Sequence, residues 1–147
     1  MVKEAKTDEE ILWCFPIFLE LEPDEKKSTT TAEDFLNKIK RQKKNGYQLM
    51  YVKDPNDSGE VVAISGFRNQ EKLFDGKLIL IEDLGILSTV RASGYGSAIL
   101  DWTIRHGIKI NVDAILAVVK WDQHVALKVF LNHSFTLGSY HFTLNFD

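Results

Sequence analysis

The stretch Leu84-Gly85-Ile86-Leu87-Ser88-Thr89-Val90-Arg91-Ala92-Ser93-Gly94-Tyr95-Gly96-Ser97 decides the reading of this chain. Apolar residues run into a segment of small residues. A helical pattern follows, with Tyr95, Ile99 and Trp102 on one spacing and Leu100 and Ile104 beside them. A strand, a loop and an opening helix in that order aim free backbone N–H groups and the positive end of a helix dipole at one point. That arrangement holds an anion, phosphate above all. Gly94 and Gly96 permit positive φ and close backbone approach, and Arg91 adds a two-pronged cation. The dinucleotide fingerprint would need a third glycine where Ile99 stands, and the G-x-x-x-x-G-K-[ST] nucleotide loop is absent. What is present is Arg91-x-x-Gly94-x-Gly96. The bland alternative is a tight turn with no ligand, and it leaves Arg91 without a purpose.

Working outward, Lys77 to Leu87 reads as a long strand and Tyr95 to about His106 as a helix stopped by Gly107. Ala114 to Val119 reads as a buried strand, Gln123 to about His133 as a helix, and Leu137 to Phe146 as a closing strand. Upstream, Thr7 and Glu10 have capping-box spacing for a helix over Asp8 to about Leu21. Pro16 kinks that helix or divides it in two. A second helix runs from Ala32 to about Asn45, Gly46 ends it, and Tyr47 to Lys53 and Val61 to Arg68 form a hairpin. Asn69 to Gly76 reads as a longer connection. The order is ααβββαβαβ. Early strands joined by turns and later strands joined by helices imply an α/β (α+β) fold with a mixed sheet, antiparallel first and parallel afterwards.

The chain has 147 residues, 44 % of them hydrophobic, and a net charge of −3. We expect a single domain over residues 1–147. A slightly acidic chain is a poor nucleic-acid binder. Its one basic cluster, Lys38, Lys40, Arg41, Lys43 and Lys44, sits where cations complement the carbonyl end of a helix. No apolar run has the length of a membrane span. The charged N-terminus is no signal peptide, and the solitary Cys14 excludes intrachain disulfides and multi-cysteine zinc sites. No histidine pair has metal-ligand spacing. We therefore expect a cytoplasmic protein with no metal, no nucleic acid and no membrane among its partners.

Arg91-x-x-Gly94-x-Gly96, placed between strand and helix, resembles the acetyl-CoA pyrophosphate loop of the GNAT superfamily of N-acetyltransferases, whose signature is [QR]-x-x-G-x-[GA]. A second family segment, roughly N-x-x-A-x-x-x-Y-x-x-x-G-F, is similar to Gln123 through Phe135. Ala126 and Phe135 are kept, while Gln123, Phe130 and Ser134 replace asparagine, tyrosine and glycine. Ile64-Ser65-Gly66-Phe67-Arg68, Glu82-Asp83-Leu84, Leu100-Asp101-Trp102 and Tyr140-His141-Phe142 look like a bacterial branch of small GNAT proteins. The element order agrees with the GNAT core.

The resemblance implies the acyl-CoA N-acyltransferase fold and an acetyltransferase that uses acetyl-CoA as cosubstrate. The acetyl group would pass to a primary amine, small-molecule or peptide, by direct attack in a ternary complex. Parallel strands would open around the cofactor cleft. It implies that Leu84, Gly85 and Ile86 bind the pantetheine arm and that Arg91, Ala92, Ser93, Gly94, Tyr95, Gly96 and Ser97 cradle the pyrophosphate. Gln123 offers an amide to the cofactor. Glu82 and Asp83 are the candidate general bases, needed because an alkylammonium with a pKa near ~10 must lose a proton. Strict strand alternation puts Glu82 on the side of Leu84 and Ile86. Phe130 leaves the family's tyrosine general acid missing, with Ser139, Tyr140 or water as substitutes. Among the histidines, His141 is the least improbable catalyst. The departures at Phe130 and Ser134 keep open a second reading, a CoA-binding or interaction module with weakened catalysis. Dimerisation is common in the family, and a homodimer is the one protein partner the resemblance leaves open.

Overall fold

The computed structural model describes residues 1–22, 30–56, 59–90 and 93–146. Among them one mixed sheet has the order β1-β2-β3-β4-β5, comprising β1 (Val2–Glu4), β2 (Gln48–Lys53), β3 (Val61–Lys72), β4 (Gly76–Ile86) and β5 (Ala114–Ala117). The first four are antiparallel neighbours, and β5 runs parallel to β4. The helices are α1 (Asp8–Trp13), α2 (Phe15–Leu21), α3 (Ala32–Lys44), α4 (Tyr95–Lys109) and α5 (His124–Asn132).

Alternation along the strands sorts side chains into two core layers. On β2, Met50 and Val52 join Phe67, Ile79, Ile81, Ile99, Leu100 and Phe130 on the face covered by α4 and α5. Leu49 and Tyr51 join Ile11, Ile17, Phe35, Ile39 and Ile64 on the face covered by α1, α2 and α3. The chain breaks between α1 and α2 at Cys14, and Pro16 falls in the first turn of α2, where its missing N–H costs nothing. The expected capping box is formed: the Glu10 amide donates to the Thr7 hydroxyl at 3.1 Å and the Thr7 amide to the Glu10 carboxylate at 3.1 Å. Tyr51 on β2 donates to the other Glu10 oxygen at 2.7 Å, so one carboxylate caps α1 and moors it to the sheet. Arg41, Lys43 and Lys44 occupy the last turn of α3, where the dipole favours them; Lys43 also donates to the Ala5 carbonyl at 2.8 Å.

Four expectations need correction. β1 has three residues and an exposed Lys3, so nothing but its ladder to β2 marks it as a strand. Asn69 to Lys72 are not a loop, because they complete pairs with Gly76 to Ile79 and leave a three-residue turn. Gly107 does not stop α4, which continues to Lys109; a Cβ there would press on Val112, Ile115 and Ile79 at 3.1–3.4 Å, so the glycine serves close packing. The closing strand is missing: residues 135–146 form no strand, and Leu137, Tyr140, Phe142, Leu144 and Phe146 are 79–91 % exposed. Alternating apolar residues make a strand only where a ladder accepts them.

Thr7→Ala removes the side-chain half of the capping box. We expect a loss of about 0.5–2 kcal/mol, read as a lower urea midpoint at unchanged slope.

Candidate active site

The pairing of β3 with β4 steps at one point. Gly66 lies opposite Asp83 and Phe67 opposite Ile81, so Glu82 is an extra residue on β4. This is a β-bulge, two residues against one. It resets the alternation, so that Ile79 and Ile81 before it and Leu84 and Ile86 after it all belong to the α4 core layer. Glu82 and Asp83 instead both line a cavity on the α2 and α3 side. Parity with Leu84 therefore does not distinguish the two carboxylates.

The bulge also marks where β5 leaves. The ladder from β4 to β5 ends at Ile81 opposite Ala117, with one further bond from the Val118 amide to the Ile81 carbonyl at 3.2 Å. Beyond it, Leu84, Gly85 and Ile86 still pair with β3 on one edge, and on the other edge no strand among the described residues meets them. Two parallel strands that part in this way leave a V-shaped opening with polar backbone on its wall.

The cavity has a volume of about 860 Å³. Phe15, Phe18 and Phe35 line one side, with Phe35 5.2 and 5.1 Å from the other two rings. Glu82, Asp83, Arg68 and Tyr47 line the other. Tyr47 donates to Asp83 Oδ2 at 2.6 Å. Arg68 donates to Glu82 Oε1 at 2.9 Å, to the Asn45 carbonyl at 3.0 Å and to the Gln42 side-chain oxygen, which ties β3 to the C-terminus of α3. Burial pushes the Asp83 carboxyl above its usual range; the Tyr47 hydrogen bond and the Arg68 charge pull the other way, and the Glu82 charge adds to the rise. Burial first, then the Asp83 charge, holds the Tyr47 phenol well above its ordinary value. Tyr47 thus stays a donor. A side chain at position 66 would collide with the Tyr47 hydroxyl, so Gly66 is what lets Tyr47 reach Asp83. Gly66 and Arg68 stand together on β3 with no sequence signal of these roles, and nothing in the local sequence marks Tyr47 or Gln42. These contacts join separate elements and have no local spacing.

Of the loop, Arg91 and Ala92 lie outside the described residues. Gly94 is the N-cap of α4 at φ 83°, and a Cβ built on it meets open space. No side chain caps α4 and its first turn has no acid, whereas Thr7 and Thr31 cap α1 and α3 and acids stand in both first turns. The first-turn amides of Tyr95, Gly96 and Ser97 therefore have no capping side chain among the described residues. Gly96 sits against the free end of β4: a Cβ there would meet Ile86 at 2.7 Å and Val129 at 3.3 Å. Hydrogen bonds brace the loop from outside, from Ser88 Oγ to Glu20 at 2.8 Å, from the Ser88 amide to the same carboxylate at 3.1 Å and from the Tyr95 hydroxyl to Asp54 at 3.3 Å. The Ser93 amide is spent on the Val90 carbonyl at 3.3 Å. Gln123 is the N-cap of α5.

Phe130 is buried in the core, its ring 5.1 Å from that of Phe135. Ser139, Tyr140 and His141 lie on the exposed 135–146 segment, away from the cavity lining. His133 is engaged at both nitrogens, with the Val129 carbonyl at 2.8 Å and Asp101 at 3.2 Å, and His106 stacks on Trp102. Burial, then the Glu10 charge, pushes the Cys14 thiol up to about 12. Among the described residues no cluster of three His, Cys, Asp or Glu could hold a metal ion, and no helix is long and apolar enough to cross a membrane.

This chain belongs to the GNAT acetyltransferases: the sequence model of the "Acetyltransferase (GNAT) family" matches residues 8–135. No match was found among curated protein sequences. Its fold is similar to those of a ribosomal-protein-alanine N-acetyltransferase from Brucella melitensis (TM-score 0.80, 7 % identity, 99 % of each chain covered) and a GNAT family acetyltransferase from Staphylococcus aureus (TM-score 0.77, 15 % identity, 99 % of this chain and 98 % of that). It is also similar to glucosamine-6-phosphate N-acetyltransferase from Arabidopsis thaliana (TM-score 0.73, 16 % identity, 100 % of this chain and 98 % of that).

Phe130→Tyr would place a hydroxyl in an apolar contact with Phe135. We expect a loss of about 1–3 kcal/mol and no gain in acetyl transfer, checked by thermal melting alongside thiol release.

Proposed function

We propose that the protein is an acetyl-CoA-dependent N-acetyltransferase that moves the acetyl group to a primary amine by direct attack in a ternary complex. The observation that carries this reading is the uncapped N-terminus of α4, packed through Gly96 on Ile86 at the free end of β4. Acetyl-CoA as cosubstrate supplies an activated thioester. The amides of Tyr95, Gly96 and Ser97 would hold its pyrophosphate, with Gly94 keeping the approach open. Arg91, Ala92 and Ser93 of the same loop would contribute beside them. The unpartnered edge of Leu84, Gly85 and Ile86 would hydrogen-bond the pantetheine arm, and an amide near Ile86 would polarise the thioester carbonyl. Gln123 would offer its amide from the start of α5.

The acceptor fits the cavity across the sheet from α4. Three phenylalanines beside two carboxylates suit an ammonium carried on an apolar body, whether small molecule or peptide. We assign Asp83 as the base that takes the ammonium proton, directly or through water. Its carboxyl is raised toward working pH, and Tyr47 fixes its orientation. Glu82, engaged by Arg68, is the second candidate. Direct attack suits a chain whose one thiol, Cys14, is buried and protonated. A reducing, cytoplasmic setting suits the same thiol.

The buried, hydroxyl-free ring of Phe130 favours a second reading, a CoA-binding module with weakened catalysis. Thiol release from acetyl-CoA with a panel of amines, set beside calorimetric binding of acetyl-CoA, separates the two. Release above background supports the enzyme; binding with no release for any amine supports the module.

Gly94→Val adds a side chain where φ is left-handed and where the pyrophosphate would approach. We expect acetyl-CoA affinity to fall at least ~10-fold in a folded variant, since a lost charge-assisted hydrogen bond alone is worth about 1.5–3 kcal/mol. Unchanged calorimetric affinity would mean that the loop is only a turn.

Asp83→Asn should lower turnover by roughly 10²–10⁴-fold and remove the acid limb of the pH–rate profile. Folding is expected to respond in the opposite sense. A carboxyl raised by burial contributes its full stability below the ordinary carboxylate range and loses it as pH rises through the folded value. The amide imitates the protonated form, so the variant should melt no lower than the parent at neutral pH. A variant with unaltered rate at every pH would move the base elsewhere.

A further inference from the structure

The basic cluster of α3 divides between two faces of the helix. Lys40 pairs with Asp8 of α1 at 3.4 Å, and Lys43 donates to the Ala5 carbonyl at 2.8 Å. Lys38 and Arg41, three residues apart and so on one side of the helix, line the cavity instead. Neither of their side chains has an ion pair or hydrogen bond among the described residues. The helix dipole accounts for Arg41 in the last turn, but Lys38 stands outside that turn. The third cation of the cavity, Arg68, is already spent on Glu82, the Asn45 carbonyl and the Gln42 side chain. The acids of the α2 and α3 wall have their own reasons to be there. Asp34 sits in the first turn of α3, where the dipole favours it, and Glu22 accepts from the Thr30 hydroxyl at 3.5 Å. The free cations also lie close to the carboxylates across the cavity. Gln42 follows Arg41 and stands one helical turn beyond Lys38, and its side chain meets Arg68, which holds Glu82 beside Asp83. An occupant of the cavity thus meets two acids, three phenylalanine rings and two cations that nothing else engages.

Resting on the reading of this cavity as the acceptor site, we infer that the acceptor is a small zwitterion: a primary amine that reaches Asp83, an apolar body beside the phenylalanines, and an oxyanion, carboxylate or phosphate, that Lys38 and Arg41 hold. Arg41 offers a planar fork that fits either oxyanion, and Lys38 adds a point charge. Both residues are exposed, so the charges they bring to the cavity carry little desolvation cost. A volume of about 860 Å³ is that of a small-molecule site. The whole chain has a net charge of −3 and repels an anion; two unpaired cations on the lining offset that repulsion locally. The same pair works against other amines. An acceptor with a second ammonium in place of the oxyanion would meet like charge at Lys38 and Arg41, so the cations select as well as bind.

The test offers the full chain matched acceptors that share one amine and one body: para-(aminomethyl)benzoate, its neutral amide, the corresponding phosphonate and the corresponding diamine. A flexible pair, δ-aminovalerate and its amide, is run beside them. Thiol release from acetyl-CoA gives kcat/KM for each. We expect at least one oxyanion to exceed its neutral amide by ~10-fold or more, chiefly through a lower KM, and the diamine to rank below both. The larger gain, with carboxylate or with phosphonate, names the anion. In the double variant Lys38→Gln/Arg41→Gln, with its fold checked by circular dichroism, the ratio of oxyanion to amide should fall toward one. The double variant Lys40→Gln/Lys44→Gln makes the same change in net charge away from the cavity lining and should keep the ratio. Equal rates for the oxyanions and their amides in the parent overturn the inference. So does a ratio that survives the loss of Lys38 and Arg41, or one that falls equally in both double variants. If no acceptor releases thiol, the transferase reading fails, and calorimetry of the same compounds on the chain with CoA decides this inference separately. A preference for the oxyanion that the Lys38→Gln/Arg41→Gln variant loses supports it; binding of none of the compounds, or of the amides equally, overturns it.

Discussion

The extra residue Glu82 in β4 is the constraint on which the site depends. A bulge adds one residue to one strand only, and it does two things here. It turns two consecutive carboxylates to the same face, which an ideal strand cannot do. It also coincides with the end of the β5 ladder, so the backbone beyond Ile81 has a polar edge with no strand on it among the described residues. A cavity with acids and an open edge of strand thus arise side by side from one local irregularity.

Support for that irregularity comes from both sides of the sheet. Arg68 grips Glu82, the Asn45 carbonyl at the end of α3 and the Gln42 side chain together, while Tyr47 reaches Asp83 over the bare Cα of Gly66. A buried carboxylate with no donor would cost several kcal/mol; one with a committed phenol donor is held at a defined orientation with its pKa shifted instead. On the opposite face, Gly96 lets the first turn of α4 rest on Ile86, so the helix terminus and the strand edge are fixed relative to each other. The glycines at 66 and 96 share a role: each removes a Cβ so that two elements bearing polar groups can close on the same strand.

Much of this was legible in the residues. Helical periodicity, Thr7 as a cap and Pro16 as a divider predict the helices close to where they lie. Gly94 at the opening of α4 announced an uncapped helix start, and the structure has one. What the residues did not disclose is non-local. β1 exists because β2 lies beside it; Asn69–Lys72 are strand because Gly76–Ile79 return along them. Gly107 reads as a helix stop until Val112 and Ile115 are seen against it. Phe130 reads as an altered catalytic position, and only the folded chain shows its ring buried against that of Phe135.

By itself the sequence determined the alternation of strand and helix, and its short motifs resemble those of the acetyltransferase family to which the chain belongs. The alternation follows from periodicity and capping chemistry, which act over a few residues. Tertiary structure alone decided which face Glu82 and Asp83 share, which phenol and guanidinium hold them, and which strand edge stays open. Side-chain parity reverses with a single bulge, and a hydrogen bond from Tyr47 to Asp83 spans a separation that no local pattern encodes. The same reason accounts for residues 137–146: their alternation is that of a strand, but strand is a property of a ladder, and the ladder takes two partners.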